Sequence, residues 1–238
     1  SAKTATKIEA QKGTKKGIEY QDIVFPELES IASILGDTCL PTGNMQGTIL
    51  NDKRGDFLIK LNPSQTGGAD LRIVFEAKDK EMYLNALLEE LGGAMKNRGA
   101  GLAVGVISGK NIIKDVNSGI RNMRDYNDKT ICVFDKEEYD SIALEISYKL
   151  ARSKLLLGLK AKEMKSDAID IVKANILIDE ISKKLSSFSL IKGNLTKVSS
   201  TISETQTQID NMKSELSERI EDLLSIVKIP EEKSDAKH

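Results

Sequence analysis

Between Asp70 and Ser108 the chain reads strand, helix, strand, and that order restricts it to few folds. In Asp70–Lys80, Leu71, Ile73 and Phe75 alternate with Arg72, Val74, Glu76 and Lys78. This is the two-residue period of a strand with one apolar and one partly polar face. Leu84, Leu87, Leu88, Leu91 and Met95 then recur at three- and four-residue intervals, a helix face that ends in Asn97-Arg98-Gly99. Ala100 to Ser108 has no polar face, which reads as a strand buried on both sides. A helix linking two such strands acts as a crossover, so the strands are expected to run parallel beneath covering helices.

The flanking segments extend this pattern. Gly17 to Leu35 spaces Ile18, Val24, Phe25, Leu28, Ile31, Ala32 and Leu35 as a helix that Gly36 stops. Proline inside a helix costs about 3 kcal/mol, so Pro26 makes this either one kinked helix or two short ones. Asp37–Gly43 reads as a short strand with Pro41 at its edge or end, and Asn44–Arg54 as a polar, turn-rich loop. In Gly55–Leu61, Phe57, Ile59 and Leu61 alternate with Asp56, Leu58 and Lys60, a strand headed by Asp56. Asn62–Ala69 turns back into the Asp70 strand. Lys129–Asp135 is a further strand, followed by a helix bearing Ile142, Leu144, Ile146, Leu150 and Leu155. The order predicts an α/β, three-layer domain over residues 17–160.

From Ile171 the period changes. Ile171, Ala174, Ile178, Ile181, Leu185, Phe188 and Ile191 begin a seam of alternating three- and four-residue steps. It continues through Leu195, Val198, Ile202, Thr205, Ile209, Met212 and Leu216, slips at Arg219, and resumes at Ile220, Leu223 and Val227. The seam passes through Gly193-Asn194 in phase, so one long helix is preferred to a hairpin. About 57 residues would extend roughly 85 Å. Residues 161–229 are expected to form a coiled-coil helix that needs a partner: a second copy, another coiled-coil protein, or a further part of its own chain.

Composition narrows the function. A formal net charge of −1 argues against coating DNA by bulk electrostatics, and 4% aromatics without Trp argues against a base-stacking platform. Residues 1–16 carry Lys3, Lys7, Lys12, Lys15 and Lys16 against Glu9 alone, a basic leader. Residues 230–238 are expected to be a disordered tail. No run suits a membrane span or a signal peptide's apolar centre, so the expected location is cytoplasmic. Cys39 and Cys132 read as reduced core thiols, and with His238 as the only histidine, histidine catalysis is not expected. A start at Ser1 and a stop at that histidine read as the ends of an expressed fragment.

Strand alternation puts Glu76 and Lys78 on one side, where they form either a solvated pair or part of a site. Asp56 heads the neighbouring strand, and Glu19 falls in the first turn of the first helix. Two carboxylates at matching ends of adjacent strands, about 4.8 Å apart, can share a divalent ion, with a cation beside them to orient water. Asp70 shares the Glu76 face, but six strand residues separate the two by about 20 Å, too far for one ion. Gly92-Gly93 and Gly99-Ala100-Gly101 lack the order of a phosphate loop and read as close packing and a tight turn.

Gly55-Asp56, Glu76-Ala77-Lys78, the helix bearing Glu19 and the following helix and buried strand together resemble the PD-(D/E)XK nuclease superfamily, over about residues 15–157. Lys16-Gly17-Ile18-Glu19-Tyr20, Arg54-Gly55-Asp56 and Ile131-Cys132-Val133-Phe134 further resemble an uncharacterised microbial group that joins such a domain to a coiled coil. The resemblance implies a restriction-endonuclease-like core with a mixed central sheet flanked by helices. Its site would hold Mg²⁺, or Mn²⁺ as a substitute, through Asp56, Glu76 and the Ala77 carbonyl. Lys78 would position and activate water, and Glu19 would hold a metal-bound water or a second ion. Gly55 departs from the proline of the family's motif. DNA is the implied substrate, RNA or branched DNA would use the same residues, and Lys96, Arg98, Arg121 and Arg124 are candidate phosphate contacts beside an ordinary solvated role. The competing expectation is a catalytically silent scaffold whose coiled coil mediates protein–protein interaction.

Overall fold

The structure, a computed structural model, describes residues 20–109, 111–116, 119–120, 122–135, 140–163 and 168–227. The expected leader and tail, 1–16 and 230–238, lie outside these residues. The strands are β1 (Thr38–Pro41), β2 (Phe57–Lys60), β3 (Arg72–Lys78), β4 (Leu102–Ile107), β5 (Met123–Tyr126) and β6 (Lys129–Val133). The helices are α1 over 20–34, α2 (Leu84–Arg98), α3 (Ile142–Glu163) and α4 (Ala168–Val227).

One six-stranded mixed sheet has the order β1-β2-β3-β4-β6-β5. The expected crossover is present: β3 and β4 are parallel with Phe75 opposite Val104, and β6 continues parallel to β4. β4 is buried along its whole length, as its unbroken apolar run requires. β2 is antiparallel to β3, and β1 to β2, so the head of β2 lies beside the tail of β3. β5 was not expected. It pairs antiparallel with β6 across Asn127, whose φ of 61° makes the turn.

Helices cover both faces of the sheet. Val24 and Leu28 of α1 and Leu144 and Tyr148 of α3 pack with Phe75 and Val104 on one face. Leu87, Leu91 and Ala94 of α2 pack with Val74, Ala103 and Ile131 on the other. α1 runs through Pro26 as a single helix. Pro26 is exposed, so the carbonyl its missing N–H cannot serve is on the side open to water. Ile142 begins α3 pointing outward, while Tyr148 and Arg152 turn inward to the buried carboxylate of Asp37 at the start of β1. Cys39 and Cys132 are free and buried, as expected, and burial pushes both thiols up to about 12.

The chain divides into two compact units, one ending at Ser189 and one beginning at Leu190. α4 is one continuous helix of 60 residues, without a hairpin at Gly193-Asn194. In the second unit Leu195, Val198, Ile202, Ile209, Met212 and Leu216 are exposed along it. Among the described residues no helix is long and apolar enough to cross a membrane.

Candidate active site

The antiparallel pairing of β2 with β3 brings Asp56 to Glu76. Their carboxylates brace each other's strand: Ala77 N–H donates to Asp56 Oδ2 at 2.8 Å, and Gly55 N–H donates to Glu76 Oε2 at 2.7 Å. Both residues are enclosed, with 8% and 5% of their surface exposed. Gln21 of α1, two positions beyond Glu19, donates from Nε2 to Asp56 Oδ1 at 2.7 Å.

Glu76 and Lys78 share a face, and they touch. Lys78 Nζ donates to Glu76 Oε1 at 2.8 Å and lies 2.6 Å from Glu90 Oε2 of α2. Glu90 was missed from sequence. Its signal was an acid three residues after Leu87 and four before Ala94, on the side of α2 that packs on the sheet.

The charges are unevenly satisfied. Burial, then the charge of Glu76, pushes the Asp56 carboxyl up to about 7, against the opposing pull of the Ala77 N–H and Lys78. Burial works against the Lys78 ammonium, but the two glutamates outweigh it and its pKa is raised. Lys78 is therefore a fixed cation at neutral pH rather than a proton acceptor.

Glycine at position 55 has a backbone reason. Its φ is +97°, which proline's ring forbids, and a Cβ there would come within 2.7 Å of Val74 Cγ2 and 2.8 Å of Arg98 Cγ. Gly93, expected to allow close packing, seats the Arg54 guanidinium, because a Cβ at Gly93 would collide with it. Gly99 caps α2 in the left-handed conformation.

The expected cations are dispersed. Arg98 is buried, and its Nη2 donates to the carbonyls of Thr42, Met45 and Lys53 at 2.7, 2.8 and 3.0 Å. It braces the β1–β2 loop instead of facing a phosphate. Arg124 is exposed on edge strand β5, three strands from β3. Lys96 is exposed near the end of α2, beside Thr48 of that loop. Arg121 and Glu19 lie outside the described residues. Asp70 bonds to Arg72.

The donor set suits a hard divalent cation. Mg²⁺ is commonly held through one or two carboxylates and keeps several waters. Asp56 and Glu76 supply two; burial and then repulsion from Glu76 raise Asp56, and a divalent charge would offset the repulsion. Among the described residues no three His, Cys, Asp or Glu side chains gather into a full cage. The remaining ligands would be the Ala77 carbonyl, water and substrate oxygens.

Comparison of the chain with protein-family models, curated proteins and solved structures finds no match in any of the three.

Proposed function

We propose that the chain is a metal-dependent endonuclease of the PD-(D/E)XK type, hydrolysing phosphodiester bonds of DNA. The observation that carries this reading is the buried Asp56–Glu76 pair at the ends of adjacent strands, with Asp56 raised to about 7 and Lys78 bonded to Glu76. A surface ion pair has no use for a second carboxylate buried beside it, its charge disfavoured by burial and by Glu76.

Asp56 and Glu76, with the Ala77 carbonyl, would hold Mg²⁺ or Mn²⁺, which supplies charge stabilisation at the phosphate and an acidified water. Lys78, kept charged by Glu76 and Glu90, orients the attacking water and balances charge developing on the phosphoryl oxygens. The Gly55 and Ala77 amides fix the carboxylates, so that little reorganisation accompanies reaction. The exposed seam of α4 serves to pair the chain with a second copy or with another coiled-coil protein.

A silent scaffold is the second reading. It is favoured by the enclosure of both carboxylates, each of whose oxygens already accepts a hydrogen bond from the chain. Mn²⁺ titration by calorimetry separates the two. The nuclease reading expects binding to the wild-type chain that is lost in Asp56→Asn and Glu76→Gln; heat that is unchanged in both variants sinks it.

A further inference from the structure

The loop between β1 and β2 exposes Met45, Ile49 and Leu50 to 58%, 40% and 77%. Three large apolar side chains are thus exposed within six residues of one loop. The tip is nonetheless built, not slack. Gly47 N–H donates to the Asp52 carbonyl at 3.1 Å and closes its base. Buried Asn97 fixes it from below: its Oδ1 accepts the Ile49 N–H at 3.1 Å, and its Nδ2 donates to the carbonyls of Asp52 and Arg54 at 3.0 and 2.9 Å. Gly47 is required for this fit, since a Cβ there would lie 2.3 Å from Asn97 Oδ1. Arg98 holds the two flanks.

Charge selects the ligand. Lys53 and Lys96 are exposed around the tip, while Arg54 is paired with Asp52 and also feels Glu76 and Glu90. Apolar side chains on a hydrogen-bonded support with lysines near them suit a nucleic-acid duplex: the cations meet phosphates while the apolar tip enters between base steps. The same loop leads through Gly55 into Asp56.

We propose that this tip is a wedge, with Leu50 at its point, that inserts into duplex DNA and unstacks a base step. The choice of duplex DNA rests on the nuclease reading, whereas the wedge itself can be tested without cleavage. The full chain is titrated in EDTA against a short duplex carrying 2-aminopurine at successive positions, comparing wild type with Leu50→Ser and Leu50→Phe. Wild type and Leu50→Phe are expected to bind and brighten the probe at one step. Leu50→Ser is expected to lose the signal and about tenfold in duplex affinity, with an unchanged thermal melt. Equal affinity and signal in Leu50→Ser, or wild-type binding that brightens no position, overturns the wedge. A wild-type chain that nicks plasmid with Mg²⁺ yet gives that result has lost only the wedge. One that unstacks DNA through Leu50 but never cleaves has lost only the nuclease reading.

Discussion

Asp56 ionises near 3.8 in an unfolded chain and about 7 when folded, because burial and then Glu76 disfavour its charge. Between those values the folded state binds the extra proton, so this group's contribution falls as pH rises from about 4 to about 7 and its cost is complete above 7. In EDTA, Asp56→Asn should therefore gain stability relative to wild type, by roughly 1–3 kcal/mol at pH 8 and little at pH 4. Urea denaturation at the two pH values checks this, and an offset independent of pH would contradict it. A cation competes with that proton, so Mn²⁺ affinity should rise between pH 5.5 and 7.5 by roughly tenfold per unit at its steepest, read by calorimetry. A flat profile would remove Asp56 from the ligand set.

At the scale of elements, α2 does more than cover the sheet. Its Leu87, Leu91 and Ala94 face the core, Glu90 reaches Lys78, Gly93 accommodates Arg54, and Asn97 and Arg98 clamp the β1–β2 loop. Asn97→Ala removes three hydrogen bonds, one of them buried and two part-buried, and should destabilise the chain by about 2–4 kcal/mol. Hydrogen exchange should show Ile49 losing protection before the β4 amides do. The strand-helix-strand core was legible because periodicity is local: Phe75 and Val104 announce their faces within a few residues. The clamp was not, since Asn97 and Arg98 meet residues 43 to 56 positions away, and an asparagine before a helix-ending glycine reads equally well as a solvated end. β5 was missed because a four-residue edge strand with exposed Arg124 and Asp125 carries almost no alternation. Asp56, Glu76 and Lys78 were readable as a set from strand parity, while Glu90 and Gln21 reach that set only through tertiary packing.

At the scale of the whole molecule, the second unit exposes Leu195, Val198, Ile202, Ile209, Met212 and Leu216 along α4, the positions of the expected seam. Burying each exposed Ile or Leu of that seam is worth about 1.5–3 kcal/mol, so Ile202 and Ile209 alone hold enough to decide association. For pairing with a second copy, Ile202→Asn with Ile209→Asn should shift sedimentation equilibrium to monomer at micromolar concentration, with the α/β domain's melting unchanged. An identical self-association constant would remove the seam from the interface. The site itself is tested most directly by incubating supercoiled plasmid with Mg²⁺ or Mn²⁺, using wild type beside Asp56→Ala and Lys78→Ala purified in the same way. Metal-dependent nicking or linearisation by wild type, lost in both variants, is the expected result. A wild-type chain inactive with both metals, or variants that cut as fast as wild type, would contradict it.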